Sequence, residues 1–197
     1  MTDNSRVATH AIDPQFIERW SPRAFNGESI PETTLLGFIE AARWAPSAYN
    51  SQPWHFLYAR RDSADWQRYL SLLIEFNRGW AQHASALLVI ASKTTFAAPG
   101  KTEEQPAPTH GFDTGAAWGF FALQAHLAGW RTHAMAGFDH ERTRETLKIP
   151  ADHAIHAMVA VGRLGDKASL PESLQARETP SPRQELQAIA LAGDFRA

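Results

Sequence analysis

The stretch that decides the fold reads Ala41-Ala-Arg-Trp-Ala-Pro-Ser-Ala-Tyr-Asn-Ser-Gln-Pro-Trp-His-Phe56. It closes a helix predicted over 31–44, because Pro46 cannot continue an α-helix. The segment 46–53 is polar and bounded by two prolines, which is typical of a loop. Aromatic residues then alternate from Trp54 to Tyr58 and predict a strand. Such a loop presents amide groups at the mouth of a strand, where they suit the polar edge of a flat heterocycle, although an ordinary turn explains them equally well.

On both sides of this stretch, helical and extended patterns alternate without a regular βαβ order. Hydrophobic spacing predicts helices over 13–19, 63–85 (in two pieces broken at 77–79), 114–128, 139–147 and 172–177. Apolar or alternating runs predict strands over 86–91, 131–136 and 154–161. These elements predict an α+β fold with one domain over 13–197, preceded by a flexible tail over 1–12. Because 94–110 has three prolines and no periodicity, we expect a long loop that acts as a lid.

The composition excludes several classes of protein. The 197 residues carry a formal net charge of −2 from 19 basic and 21 acidic side chains, so nucleic acid is not expected as a partner. There is no cysteine, which excludes disulfides and a thiol nucleophile. No GxGxxG, Walker, G-x-S-x-G or HExxH pattern occurs, and His153 and His156 face opposite ways, so no metal site is expected. There is no signal-peptide pattern and the apolar run 84–91 is too short to span a bilayer, which predicts a cytoplasmic protein without a membrane partner.

Two further loop segments offer groups that suit a ligand. Arg19-Trp-Ser-Pro-Arg23 has two guanidiniums with a hydroxyl between them, and these can converge on one phosphate if the chain turns there. A solvated helix end stabilised by the macrodipole is the alternative, and it is the stronger one for this segment alone. In Ala134-Met-Ala-Gly-Phe-Asp139 small residues let a ligand approach the backbone, but a plain strand-to-helix turn explains them as well. Arginine outnumbers lysine by 15 to 4, which favours bidentate recognition of anions.

The order and spacing of these segments resemble the nitroreductase family, the FMN-dependent NAD(P)H oxidoreductases. The resemblance extends over about 13–190, and its most specific stretches are Glu18–Phe25, Ala41–Phe56, Gly129–Asp139 and Pro180–Arg183. In such a family the reaction needs no protein nucleophile, because the flavin carries the hydride chemistry. The lack of a nucleophile or metal motif in the sequence agrees with this resemblance.

The resemblance implies a cofactor site built from all four stretches. Arg19, Ser21 and Arg23 would contact the flavin phosphate and ribityl chain, and Arg183 would be another phosphate ligand. A backbone amide of Ala136 or Gly137 would donate to flavin N5 and orient the ring for hydride transfer. The complete set that the resemblance implies is Arg19, Trp20, Ser21, Arg23, Pro46, Ser47, Asn50, Gln52, Met135, Ala136, Gly137 and Arg183, with no metal.

The resemblance also implies an architecture and a reaction. The architecture would be a mixed β-sheet covered by helices in an obligate homodimer, with helix 114–128 at the centre of the interface and loop 46–53 on flavin held mainly by the other subunit. NADH or NADPH would reduce FMN at N5, and a nitroaromatic, a quinone or a related unsaturated small molecule would then take the electrons in a ping-pong reaction. Two alternatives stay open: flavin-dependent dehydrogenation or dehalogenation on the same fold, and a flavin-binding protein without turnover.

A few positions depart from the family pattern or have several candidates. Ala48 stands where many relatives have a second hydroxylic residue, and Ala136 stands where some have a glutamate. The cation that often faces the N1–O2 edge of the flavin has two candidates, Arg131 and Arg78. Further candidates are the proton donors Tyr49 and His133 and the pocket aromatics Trp80, Phe96 and Phe112.

Overall fold

A four-stranded sheet lies at the centre of the computed structural model, which describes residues 4–195. Its strands are β1 (Trp54–Arg60), β2 (Ala86–Lys93), β5 (Arg131–Met135) and β6 (His153–Gly162), in the order β1-β2-β6-β5. The expectation of a mixed sheet is wrong for the described residues, because β1 with β2, β2 with β6 and β5 with β6 all pair antiparallel. Strands β2 and β5 run in the same direction but lie on either side of β6, so neighbouring strands do not run parallel.

Helices cover both faces of the sheet. They are α1 (Gln15–Glu18), α2 (Glu32–Arg43), α3 (Trp66–Leu70), α4 (Glu75–Ala81), α5 (His110–Leu127), α6 (His140–Thr146) and α7 (Glu172–Gln175). One face packs on α3 and α4, and the other packs on α2 and α5. The structure therefore confirms the α+β class. No helix in residues 4–195 combines the length and apolar character needed to cross a membrane.

Strand β2 is buried on both faces and holds the two halves of the core together. Leu87 and Val89 point into the cluster that contains α3 and α4, whereas Leu88 and Ile90 point into the cluster that contains α2 and α5. Each of these four side chains is at most 3% exposed. A strand covered on both faces has no polar side to show, which explains why this run is continuously apolar and confirms the predicted buried strand.

The break between the two middle helices lies earlier than the sequence predicts. The structure breaks the helix between Leu70 and Glu75, and residues 77–79 lie inside α4, so the predicted break at 77–79 is wrong. Leu73 instead forms an isolated β-bridge with Phe138, and the N–H of Ile74 donates to the carbonyl of Gly137. These tertiary hydrogen bonds replace the helical ones at this point, and no local pattern reveals them.

Helix α5 begins at His110, four residues before the predicted start at Thr114. The segment before it, 94–110, is not structureless. Strand β3 (Thr95–Ala97) pairs with β4 (Glu104–Pro106) as a small antiparallel hairpin. The carboxylate of Glu104 ties this hairpin to the end of β2, because it accepts hydrogen bonds from Lys93 and from the hydroxyl of Thr95. Polar anchoring of this kind leaves no hydrophobic periodicity in the sequence.

One side of α5 packs on the sheet and another presents large apolar side chains to the surface. Ala117, Phe121 and Ala125 are at most 1% exposed, whereas Phe112 is 83% exposed and Leu127 is 64% exposed. A helix that is apolar all round is normally covered on all sides. The single chain covers only part of α5.

Candidate functional site

Three arginine side chains, Arg6, Arg19 and Arg183, lie close together where the N-terminal and C-terminal segments of the domain are in contact. The positive charge of Arg183 lies close enough to lower the pKa of both Arg6 and Arg19, after burial as the first cause in each case. None of the three guanidiniums forms an ion pair with a carboxylate in residues 4–195. Neighbouring like charges repel one another, so this arginine cluster (Arg6, Arg19 and Arg183) is suited to bind an anion.

Arg6 is a member of the cluster that no sequence pattern indicates. Its Nε donates to the carbonyl of Ser181 at 2.7 Å, and its Nη1 donates to the carbonyls of Ile17 at 3.1 Å and Arg19 at 2.9 Å. The segment 4–12 contains no helix or strand, yet Arg6 attaches it to the backbone at both ends of the domain. A single polar residue in a polar segment gives no signal of such a contact.

The segment from Arg19 to Phe25 leads from the arginine cluster into the interior. Arg19 Nη1 lies 3.5 Å from the hydroxyl of Ser21, and Trp20 is buried at 6% exposure. The backbone N–H groups of Arg23 and Ala24 both donate to one carboxylate oxygen of Glu178, at 2.6 and 2.7 Å. Glu178 is 2% exposed and is a second residue that the sequence did not indicate.

Arg23, which the resemblance groups with Arg19 and Arg183, lies near Trp80. Its guanidinium carbon is 6.0 Å from the centre of the Trp80 ring, and its Nε is buried without a hydrogen-bond partner in the described chain. Burial lowers the pKa of Arg23, the charge of Arg177 lowers it further, and the carboxylate of Glu178 opposes both. Arg23 and Arg19 both lie close enough to His133 for their charges to lower its pKa, after burial as the first cause.

His133 lies beside Arg23 and packs on the same tryptophan. Its ring centre is 4.8 Å from that of Trp80, and its Nδ1 donates to the carbonyl of Pro22 at 3.0 Å. Burial lowers the pKa of His133 to about 4; hydrogen bonds to Pro22 and Ser21 oppose this shift, and the charges of Arg23 and Arg19 add to it. His133 is thus neutral near pH 7, and its Nδ1 proton is already donated to a carbonyl.

Gly137 lies at the other end of this path, where it packs against the first turn of α4. Its carbonyl accepts hydrogen bonds from the side chain of Asn77 at 3.0 Å and from the N–H of Ile74 at 3.2 Å. A Cβ atom at this position would lie 2.6 Å from Asn77 Nδ2 and 2.7 Å from Ile74 Cδ1, so the ends of these two side chains would have to move to admit it. The carbonyl faces inward, and the N–H of Gly137 donates to no group in the part of the chain that the structure describes.

The path from the arginine cluster to Gly137 is continuous. The side chain of Arg19 contacts the hydroxyl of Ser21, and the next residue, Pro22, accepts a hydrogen bond from His133. His133 in turn packs on Trp80, and Asn77 lies one turn before Trp80 on α4. Two members of the expected set have buried side chains, since Met135 belongs to the core below the path and is 4% exposed, and Trp20 is also buried. Ala136 is exposed beside Gly137. We call this series of residues, from the arginine cluster to Gly137, the binding path.

The loop 46–53 has an unusual backbone. The backbone φ angles of Tyr49, Asn50 and Gln52 are positive, at 54°, 53° and 47°. Residues other than glycine rarely adopt this conformation. The Ser47 hydroxyl accepts a hydrogen bond from the N–H of Gln52 at 3.0 Å, and the buried carboxylate of Asp113 on α5 accepts one from the N–H of Ala48 at 3.2 Å. Strained backbone held in place by such contacts is typical of functional loops.

The loop does not meet the binding path within one chain. No hydrogen bond or ring contact in residues 4–195 joins Ser47, Asn50 or Gln52 to that path. The ring of Tyr49 instead stacks on Phe96 of the β3–β4 hairpin, with centres 5.5 Å apart, and a cavity of about 390 Å³ lies between loop and hairpin. The expected site residues thus form two separate groups on one chain.

The two arginines considered for the N1–O2 edge lie on elements of the binding path, Arg78 next to Asn77 on α4 and Arg131 two residues before His133 on β5. Arg78 is exposed on α4. Arg131, at the start of β5, donates to the carbonyl of Trp130, and burial followed by the charge of Arg163 lowers its pKa. Arg23 is the cation that lies against Trp80, within the path. In residues 4–195 no group of three or more His, Asp or Glu side chains is placed to hold a metal ion.

Comparison with known proteins identifies the family to which the chain belongs. The sequence profile of the nitroreductase family matches residues 17–163. The chain belongs to the nitroreductase family. The match includes Arg19–Arg23, the loop 46–53 and Gly137, whereas Arg6, Glu178 and Arg183 lie outside it.

Three relatives show how far the similarity to other nitroreductase-family proteins extends. A solved structure described as an oxidoreductase containing FMN superposes with a TM-score of 0.95 and 45% identity, covering 100% of this chain and 98% of that one. An NADH dehydrogenase from Thermus thermophilus is 29% identical over 74% of this chain and 83% of its own length. A structure from Exiguobacterium sibiricum in complex with FMN has a TM-score of 0.70 at 19% identity, covering 96% of this chain and 100% of that one, which shows a shared fold.

Proposed function

We propose that this nitroreductase-family chain is an FMN-dependent oxidoreductase that uses NAD(P)H. The observation that carries the proposal is the binding path, where, within residues 4–195, the arginines at one end have no carboxylate partner and the backbone N–H of Gly137 at the other end has no acceptor. FMN has a phosphate at one end and a flat heterocycle at the other. The FMN-containing relative at 45% identity supports the same cofactor.

The residues present fit this cofactor. Arg19 and Arg183 carry positive charge that no carboxylate of residues 4–195 neutralises, which suits a phosphate dianion. The buried Nε of Arg23 has no hydrogen-bond partner in the described chain, and a buried donor of this kind is normally satisfied. Both features need an acceptor from outside the chain, and FMN supplies phosphate, hydroxyl and carbonyl oxygens.

The roles of the chain's own residues follow from their positions. Arg19 and Arg183 would hold the phosphate, with the Ser21 hydroxyl beside them. Arg23, rather than Arg78 or Arg131, would place its charge near the ring, because it lies against Trp80. The N–H of Gly137 would donate to the ring, and Asn77 fixes its peptide by holding the carbonyl. When bound, FMN accepts a hydride at N5 from the nicotinamide and passes the electrons to an acceptor.

We further propose a homodimer in which the loop 46–53 completes the site of the partner subunit. This loop is strained and lies apart from the binding path of its own chain, so it would serve the second subunit's cofactor. The apolar side chains that α5 exposes, such as Phe112 and Leu127, would be covered in the same interface. The electron acceptor would be a nitroaromatic, a quinone or a related unsaturated small molecule, and the compartment would be the cytoplasm.

An absorbance spectrum of the purified full-length protein tests the function. We expect a flavin spectrum, either as purified or after incubation with FMN and removal of the excess. Under anaerobic conditions NADH or NADPH should bleach it, and a quinone or nitroaromatic should restore it. A colourless protein after incubation with FMN would contradict the proposal. A yellow protein that neither nicotinamide bleaches would instead indicate a flavin-binding protein without turnover.

A further inference from the structure

We infer that Arg6, from the N-terminal segment outside the family match, completes the phosphate end of the site as a third anion-binding arginine and makes binding depend on the phosphate. This inference rests on the proposed function, because it takes the phosphate of FMN as the anion. It adds to the site a residue that neither the sequence pattern nor the matched range 17–163 includes.

The hydrogen bonds of Arg6 give it a bridging position. The side chain joins the carbonyls of Ile17 and Arg19, on the first motif, to the carbonyl of Ser181, two residues before Arg183. The two arginines proposed to hold the phosphate are thus carried on backbone segments that one side chain ties together. Asn4 strengthens the bridge, because its side-chain amide donates to the carbonyl of Ile17 at 3.1 Å and its oxygen accepts from the N–H of Arg6 at 3.3 Å.

The charge of Arg6 is a second observation that favours an anion. A side chain needed only to tie carbonyls together need not lie beside two other guanidiniums, because their repulsion opposes the contact. Arg6 nevertheless lies close enough to Arg183 and Arg19 for both charges to lower its pKa, after burial as the main cause. It forms no ion pair with a carboxylate in residues 4–195. Its Nη2 has no hydrogen-bond partner among these residues and remains available to a ligand.

Arg61 provides a matched control. It also donates to backbone carbonyls, of Ala84 at 2.9 Å and of Gln82, and it packs on Trp66. Its bridge therefore resembles that of Arg6, but it lies outside the arginine cluster and the binding path. Substitution of Arg61 reports what is lost when an arginine that bridges carbonyls is removed, without any change at the proposed phosphate end.

The experiment compares FMN with riboflavin, which has the same ring and ribityl chain and no phosphate. The full-length wild type, Arg6→Gln and Arg61→Gln are freed of flavin and titrated with each compound. Arg6→Gln should weaken FMN binding about tenfold and change riboflavin binding less than about twofold, because a charge-assisted contribution to the phosphate is lost. Arg61→Gln should leave the ratio of the riboflavin dissociation constant to the FMN dissociation constant unchanged.

Each outcome separates the inference from the proposed function. If Arg6→Gln keeps the wild-type ratio, whether both compounds bind as before or both bind more weakly, the inference is wrong and Arg6 only holds the backbone. The inference is also wrong if Arg61→Gln lowers the ratio of the riboflavin to the FMN dissociation constant as much as Arg6→Gln does. If the wild type itself binds neither FMN nor riboflavin, the proposed function fails, and the wild-type titration alone shows that. Because Arg6 belongs to neither hydrophobic cluster, its substitution leaves the core intact.

Discussion

The buried carboxylate of Glu178 accepts a hydrogen bond from the backbone N–H of Arg23 at 2.6 Å, across 155 positions of the sequence. The same oxygen accepts the N–H of Ala24 at 2.7 Å. One side chain near the end of the domain therefore fixes the backbone that carries the first binding motif. This contact holds the backbone from which the side chain of Arg23 extends towards Trp80.

Glu178→Ala should destabilise the fold by about 2–4 kcal/mol, because it leaves two buried backbone N–H groups without an acceptor. Glu178→Gln keeps an acceptor oxygen and should cost less than half as much. Denaturant unfolding of the full-length chain measures both differences. Glu172→Ala, at an exposed position on α7, is the control and should have little effect. Equal stability of Glu178→Ala and the wild type would show that the contact contributes nothing.

Arg23→Ala should weaken FMN binding by about 1.5–3 kcal/mol, because the guanidinium, with its buried Nε, would make a charge-assisted hydrogen bond to the cofactor. A titration of the flavin-free protein with FMN gives the dissociation constant. Arg43→Ala removes an arginine that is exposed on α2 and pairs with Glu40, so it should not change that constant. An FMN affinity unaffected by Arg23→Ala would contradict the assignment of Arg23 to the site.

Gly137→Ala should lower both the free energy of unfolding and the affinity for flavin. The added methyl group would lie 2.6 Å from Asn77 Nδ2 and 2.7 Å from Ile74 Cδ1, so both side-chain ends must move and the hydrogen bond from Asn77 to the Gly137 carbonyl is disturbed. The expected cost is about 1–3 kcal/mol of unfolding free energy. Gly37→Ala is the matched control, because the methyl group would meet nothing within 4 Å on the surface of α2. That control should stabilise the protein by up to about 1 kcal/mol. A Gly137→Ala protein as stable as the wild type, with flavin bound, would refute the close packing.

The depressed pKa of His133 predicts a loss of stability in mild acid. The folded state holds the pKa at about 4, against an ordinary value of 6.5, so the unfolded chain takes up the proton first as the pH falls. The contribution of neutral His133 is therefore complete above pH 6.5 and declines as the pH falls towards 4. Between pH 7 and pH 5 the wild type should lose about 2 kcal/mol through this group.

Denaturant unfolding of wild type and His133→Gln at both pH values tests this prediction. The variant lacks the titrating group, so its loss between pH 7 and pH 5 should be smaller than that of the wild type by the same amount. His83→Gln, at an exposed position after α4, should behave like the wild type. An identical pH dependence in wild type and His133→Gln would mean that His133 does not titrate in this way.

The exposed apolar side of α5 predicts self-association. The wild type should elute as a dimer at low micromolar concentration, and Phe120→Asp should dissociate it, because a buried unpaired charge in an apolar interface is costly. Phe120 is 42% exposed in the single chain, and Leu36 on α2 is 43% exposed, so Leu36→Asp is a control of equal exposure. Light scattering coupled to size exclusion gives the mass. A folded wild-type monomer that binds flavin would contradict the proposed shared site.

Several elements could be predicted because their causes are local. The prolines at 46 and 53 bound the functional loop, and the continuous apolar run 86–91 marks the buried strand β2. The boundaries that were predicted wrongly depend on distant groups. The helix break moved to 71–74 because Leu73 bridges to Phe138 and Ile74 donates to Gly137. Neither partner is visible from the residues around the break.

The sequence by itself determined the α+β class, the loop 46–53, the motifs at 19–23 and 134–139, and through them the nitroreductase family. These features follow from backbone sterics, from periodic burial and from residues close together in the chain. Only the tertiary structure decided that Arg23 lies near Trp80 and His133, that Arg6 joins the arginine cluster, and that Glu178 supports the path. Several of those contacts join segments far apart in the chain, such as Glu178 with Arg23 and Arg6 with Ser181, and a single hydrogen bond or guanidinium contact leaves no periodic pattern in either segment. The order of the strands and the packing of the chain ends around them bring such groups together.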